Sequence, residues 1–177
     1  SREEAMQELV RRRDIENERY DKVYNVCMYD FKNYDLILDT TKLTPQETYE
    51  IIIREASKKS DIQKVYVAPN NIYPSQKGFS IEKAKVISKA LDGESIPNIT
   101  LIKIGENLFT YNEEDKLLAC NMLDLPLVEA SIVYGENDLL PDGHKAKNHI
   151  KISKKDIFFW EEINKFTFDF YPNNIKE

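Results

Sequence analysis

The sequence predicts an α/β (α+β) chain in two parts followed by an aromatic tail, and three observations carry that prediction. Short apolar runs alternate with stretches that open on helix-capping residues, as where Tyr34–Asp39 precedes Thr44-Pro45-Gln46-Glu47. A polar, charged stretch from Lys58 to Gln63 separates a first segment from a second built of shorter elements. Aromatic residues then crowd the end of the chain, from Phe158 to Tyr171. These set expected boundaries of 1–59, 60–135 and 136–177.

The opening stretch from Glu3 to Arg19 is rich in Glu, Arg, Ala, Met and Leu, which favour helix, and Met6, Leu9 and Val10 recur at helical spacing. A loop around Tyr24 to Asn33 leads into Tyr34-Asp35-Leu36-Ile37-Leu38-Asp39, whose short continuous apolar centre predicts a strand buried on both faces. Thr44 can cap the next helix, Pro45 suits its first position and Glu47 completes a capping box. That helix is expected to reach Ser57 and to bury Tyr49, Ile52, Ile53 and Ala56. Beyond the boundary, Val65–Val67 reads as a strand, Pro69–Gly78 as a loop, and Ser80 as the cap of a helix that Gly93 ends. Ile99–Ile104 and Leu108–Tyr111 form a hairpin around Gly105-Glu106-Asn107. Asn112 is the expected cap of a helix carrying Leu117, Leu118, Ala119 and Met122, and a strand follows at Leu127–Tyr134. Leu140-Pro141-Asp142-Gly143 has turn chemistry, and Ser153 starts a last helix through Trp160. Phe166, Phe168 and Phe170 alternate with Thr167 and Asp169, as in a strand.

Composition narrows the function classes. The chain has 177 residues, 41% of them hydrophobic, so it can build a packed core. Its formal net charge of -6 argues against a nucleic-acid binder and favours small molecules or protein partners. Cys27 and Cys120 stand far apart, which fits neither a disulfide framework nor a zinc site but fits a reduced, cytoplasmic setting. No apolar run approaches the roughly 20 residues a membrane helix needs. Ser1 opens inside charged, helix-like sequence, so the native polypeptide is expected to continue upstream.

Arg12, Glu16 and Arg19 are spaced four and three apart, which places them on one helix face, with Tyr20 following. Two guanidiniums there can grip phosphate oxygens and the carboxylate can accept bonds from a sugar or base. With the stretch from Tyr34 to Glu47, these residues make 1–57 resemble the C-terminal segment of cytidylate kinases and related nucleoside-monophosphate kinases, with Glu16 where that family has Asp. The resemblance implies the tail of a P-loop fold, helix–strand–helix, and contacts from Arg12, Glu16 and Arg19 to a bound monophosphate or the transferring phosphoryl group. No Gly-x-x-x-x-Gly-Lys-Ser/Thr occurs, so the chain alone is not a complete kinase. For the isolated chain, a solvated helix face with paired charges accounts for the three residues better, because a phosphate site needs further walls.

The order strand, Tyr73-Pro74-Ser75-Gln76 loop, helix, Pro97-Asn98-Ile99, hairpin, helix, Asp124-Leu125-Pro126-Leu127-Val128 and strand makes 62–134 resemble the ParB/sulfiredoxin superfamily, including its free-serine kinases. That implies a small mixed domain. Active relatives carry an Asp-Gly-His-His-Arg type motif where this chain has Asn112-Glu113-Glu114-Asp115-Lys116. The three carboxylates suit a helix start but repel a phosphate placed there. Gln76 stands where serine-kinase relatives have a catalytic glutamate, and an amide cannot act as a general base. The expectation is a degenerate site in which Asn112 and Lys116, with Gln76 on the loop, are the remaining nucleotide or phosphate candidates. Magnesium with ATP or ADP enters only if kinase activity survives.

Glu113, Glu114 and Asp115 also invite comparison with a hard-cation site, but adjacent helical residues diverge and a capping cluster fits them better. His144 and His149 lack metal-ligand spacing, so no metal is expected. The C-terminal aromatics are expected to close the second unit's core, with cover for another subunit or an upstream kinase core as the alternative. Stacking on single-stranded nucleic acid is the weakest of the three, given the acidic balance. The leading functional expectation is a piece of a nucleotide-kinase polypeptide with a degenerate ParB-like binding or regulatory module. The alternatives are a non-enzymatic docking or dimerisation module and a free-serine type kinase.

Overall fold

The computed structural model describes residues 2–28, 30–58, 63–91, 96–165, 167, 168, 172 and 175. The chain has an α/β fold that divides into two compact units, one of Ser1–Ile37 with Ser60–Gln63, the other of Leu38–Lys59 with Lys64–Glu177. Residues 38–59 thus pack with the larger unit.

In the smaller unit, α1 (Arg2–Tyr24) runs beyond the predicted Arg19. Asn25 ends it in the left-handed region at φ 53°, with its N–H on the Asp21 carbonyl at 2.9 Å. The described side chains of α1 are exposed apart from the half-buried Asn17. Local ion pairs line the helix, Arg11 to Glu8 at 3.0 Å and Lys22 to Glu18 at 3.1 Å. The Gln63 amide donates to the Tyr34 carbonyl at 2.6 Å and to that of Phe31, closing the loop that follows.

A mixed six-stranded sheet has five of its strands in the larger unit, and its first strand straddles the Ile37/Leu38 division. Its strands are β1 (Leu36–Leu38), β2 (Lys64–Val67), β3 (Ile72–Tyr73), β4 (Asn98–Ile104), β5 (Asn107–Thr110) and β6 (Val128–Gly135). Their order is β1-β2-β6-β4-β5-β3. The central pair, β4 and β6, is parallel with Ile99 opposite Ala130, and β5 returns antiparallel to β4 with Phe109 opposite Ile102. The turn between β4 and β5 places Gly105 at φ +58°, which a residue without Cβ adopts freely. Two strand expectations change. β1 is half-buried at the sheet edge, because a flanking position leaves one side of it uncovered. β3, two residues inside the expected loop, pairs parallel with β5, Ile72 opposite Leu108.

The helices are α2 (Pro45–Ala56), α3 (Ile81–Ala90), α4 (Glu114–Met122) and α5 (Lys154–Asn164). α2 has its capping box, with Glu47 N–H on Thr44 Oγ1 at 3.2 Å and Thr44 N–H on Glu47 Oε2 at 2.8 Å. The face it buries differs from the expected one. Ile51 is buried with Thr48 and Glu55 half-buried beside it, while Tyr49, Ile52, Ile53 and Ala56 are exposed. On this inward face the Tyr66 hydroxyl of β2 donates to Glu55 at 3.2 Å, while the larger apolar residues point outward.

α3 packs on α4, which also meets α5. Ile99, Leu101, Ile102, Phe109, Leu117 and Leu118 are fully buried between these elements. From the tail, Trp160 is fully buried and meets Phe79 edge-on at 5.0 Å and 81°, and Phe168 lies 4.5 Å from Tyr73. Phe158 and Phe159 remain about half exposed. Positions 167 and 168 are not in a strand, and Phe166, Asp169, Phe170 and Tyr171 lie outside the described residues, as does Gly93.

Candidate functional site

The chemistry-bearing side chains of the larger unit gather where the 74–77 loop, the start of α4 and the turn Ala146–His149 meet. The approach to α4 is unusual. Asn112 takes the left-handed region at φ 59°, and Glu113, not Asn112, is the residue before the first helical position. Glu113 makes no side-chain cap bond, so the expected Asn112 cap is replaced by a start held from outside the helix. The positive φ of Asn112 directs its side chain elsewhere.

Each of the three carboxylates here binds a different segment. Glu113 accepts from the Thr100 N–H on β4 and from Lys116 Nζ at 3.3 Å. Glu114 Oε1 accepts from Ser75 Oγ at 2.6 Å, Thr110 Oγ1 at 2.8 Å and the Ser75 N–H at 3.3 Å. Asp115 accepts from the N–H of Ser80, the residue that caps α3. Glu114, Ser75 and Thr110 are all buried. The carboxylates therefore act as tertiary latches near the positive end of the α4 dipole. Diverging in this way they share no cation, and the described residues contain no group of three or more acidic, histidine or cysteine side chains arranged for a metal.

Beside this lies a second, more accessible layer. Gln76 Nε2 donates to Asn112 Oδ1 at 3.4 Å and lies 3.0 Å from His149 Nε2. The Tyr111 ring sits 5.1 Å from His149 and 5.2 Å from Tyr134. Burial holds the His149 imidazole below its ordinary range, with Lys151 adding to the effect against the opposing pull of Glu114 and Asp142. Desolvation raises the Tyr111 phenol, and the Tyr134 phenol beside it acts in the same direction.

The structure thus brings together Gln76 and Asn112, residues 36 apart in sequence. Lys116 is drawn to Glu113 on its own helix. Arg12, Glu16 and Arg19 stand exposed on α1 in the smaller unit. Thr110, Tyr111 and Tyr134 are members to which sequence reasoning gives no site role, while Ser75 enters it only as part of the 73–76 loop and His149 only as a histidine without metal-ligand spacing. His149 lies 73 residues from Gln76, and no local pattern marks it. Cys27 is exposed and Cys120 is buried, where desolvation pushes its thiol up to about 11 and makes it a core residue rather than a nucleophile. An open cleft of about 510 Å³ lies at the β4–β5 turn, lined by Gly105, Glu106, Asn107, Glu136, Lys147 and Asn148 among others, and includes none of the predicted site residues. No helix among the described residues is long and apolar enough to cross a membrane.

No protein-family model matches the chain, and no curated protein matches it. Among solved structures, protein Atu1540 from Agrobacterium tumefaciens aligns at 11% identity with a TM-score of 0.37, over 63% of this chain. The alignment spans 53% of that protein, about half its length.

Proposed function

We propose that the chain is part of a nucleotide-kinase polypeptide of the cytidylate-kinase type, and that its larger unit is a degenerate ParB-like module that binds or regulates without transferring phosphate. One observation carries the second half of this reading. Glu114 already occupies the donors that an incoming anion would need, the Ser75 N–H, Ser75 Oγ and Thr110 Oγ1. Glu113 and Asp115 flank it, so a polyphosphate meets negative charge and no unfilled donors at the start of α4. The residues there do not fit ATP or ADP with magnesium. A small ligand of this module would instead meet the carboxamides of Gln76 and Asn112 and the rings of Tyr111, Tyr134 and His149. The smaller unit supports the kinase half through Arg12, Glu16 and Arg19, which stand exposed on α1, available to a phosphate once other walls are supplied.

A thermal-shift panel on the full chain with CMP, dCMP, AMP, ADP, Mg·ATP and L-serine, run beside a phosphoryl-transfer assay, tests the reading. A ligand at about 100 times its Kd stabilises a fold by roughly 2.7 kcal/mol. The expected result is no transfer to serine from either nucleotide, and cytidylate phosphorylation only when a P-loop segment is present upstream. Serine phosphorylation abolished by Lys116→Ala would overturn it in favour of a free-serine type kinase.

A docking-module reading is favoured by a different observation. Tyr49, Ile52 and Ile53 on α2 are 60%, 44% and 49% exposed, an apolar group large enough to serve a protein contact. Concentration-dependent self-association lost in Ile53→Asp, and indifferent to every nucleotide, would select this reading.

A further inference from the structure

The Gln76–Asn112–His149 group has a hydrogen-bond polarity that follows from its chemistry. An amide nitrogen donates and does not accept, so with Gln76 Nε2 at 3.0 Å, His149 Nε2 must be the acceptor. The ring is therefore neutral, with its proton on Nδ1. The second hydrogen of Gln76 Nε2 is directed to Asn112 Oδ1 at 3.4 Å. One amide group thus joins a titratable ring to the residue that precedes the α4 start.

We propose that His149 is a proton-operated switch for this site: protonation converts Nε2 from acceptor to donor, turns the Gln76 amide oxygen toward the ring, and releases Asn112. The middle step follows because two donors cannot face each other at hydrogen-bond distance. The last follows for the Asn112 oxygen because the turned amide would set Gln76 Oε1 against Asn112 Oδ1, so that the Asn112 carboxamide must swing away or turn over. Asn112 Oδ1 then gives up the Gln76 N–H, at a backbone position held at φ 59°. The charged groups around the ring are Glu114 from α4, Asp142 from the 140–143 turn and Lys151 just beyond the ring's own turn, with the Tyr111 ring packed on it. Glu114 favours the protonated ring, but its Oε1 is already held by Ser75 and Thr110. The switch rests on this geometry and holds under either reading of the function.

The test is an NMR pH titration of the full chain, following the side-chain signals of His149, Gln76 and Asn112, with exposed His144 as the reference histidine. Above neutral pH His149 is expected as the Nδ1–H tautomer. Below the ordinary histidine value of 6.5, the ring and both amides should shift with one midpoint. Gln76→Glu places a carboxylate against Nε2 and should raise that midpoint by about 1 unit or more. Gln76→Leu should leave the ring titrating while the Asn112 amide no longer follows it. An Nε2–H tautomer at neutral pH, or amides that stay unmoved through the ring's midpoint, would overturn the switch. The wild-type titration decides on its own if either variant fails to fold.

Discussion

The starts of α2 and α4 both carry acidic residues in the first turn, yet they solve the helix-start problem in opposite ways. At α2, Thr44 and Glu47 satisfy each other's backbone within four residues of chain. At α4, no side chain caps the helix, and Glu113, Glu114 and Asp115 each hold a distant segment. A local cap steadies one helix, whereas a latch of this kind ties β4, the 74–77 loop and the start of α3 to one point. Removing a latch should therefore cost more than removing a cap.

The largest effect is expected at Glu114. Glu114→Ala removes the carboxylate that two buried hydroxyls donate to, leaving the Ser75 N–H only its bond to Thr110 Oγ1 at 3.1 Å, and the expected loss is about 3 kcal/mol, read by urea denaturation. A loss no larger than that of a cap variant would break the distinction. Next comes Thr44→Ala, with an expected loss of about 1 kcal/mol at an exposed local cap. The smallest effect is expected on α1, where Arg11→Ala removes an exposed, solvent-screened ion pair and should leave the urea midpoint indistinguishable from wild type.

Acid titration sharpens the same comparison. Burial depresses His149, so the unfolded chain binds that proton first. Its contribution to stability is complete above about 6.5, the unfolded value, and is lost as pH falls through the lower folded value. At α5, desolvation acts to raise Asp156, but the Ser153 hydroxyl and N–H with Lys77 hold it below its ordinary 3.8. Its contribution is present above 3.8 and disappears at lower pH still. Wild-type stability should thus fall in two steps, and His149→Gln should remove the one at higher pH while the lower one persists.

What was legible in the sequence was whatever closes within a few residues. The capping boxes at Thr44–Glu47 and Ser153–Asp156, the hairpin at Gly105 and the apolar runs of β4 and β6 all answer to local chemistry. The rotation of α2 was not legible, because its buried face carries Ile51 with Thr48 and Glu55, which meets Tyr66 from a distant strand, and not the larger group of visible apolar residues. β3 escaped because two residues give no periodicity. Gln76 and Asn112 were found through the pattern of elements they punctuate. His149 was hidden, since its place follows from the path of the chain after β6 and from no motif around it. The acidic start of α4 was legible as composition but not as function: nothing in Glu113-Glu114-Asp115 reveals that each side chain leaves in its own direction.

The most direct test of the central claim is an amide NMR titration of the full chain with Mg·ATP, watching the N–H signals of Ser75, Ser80 and Thr100. These three groups are already bonded to Glu114, Asp115 and Glu113. Their signals are expected to stay in place as nucleotide is added, with no ATP turned over. Saturable shifts at these three amides, accompanied by phosphoryl transfer, would contradict it.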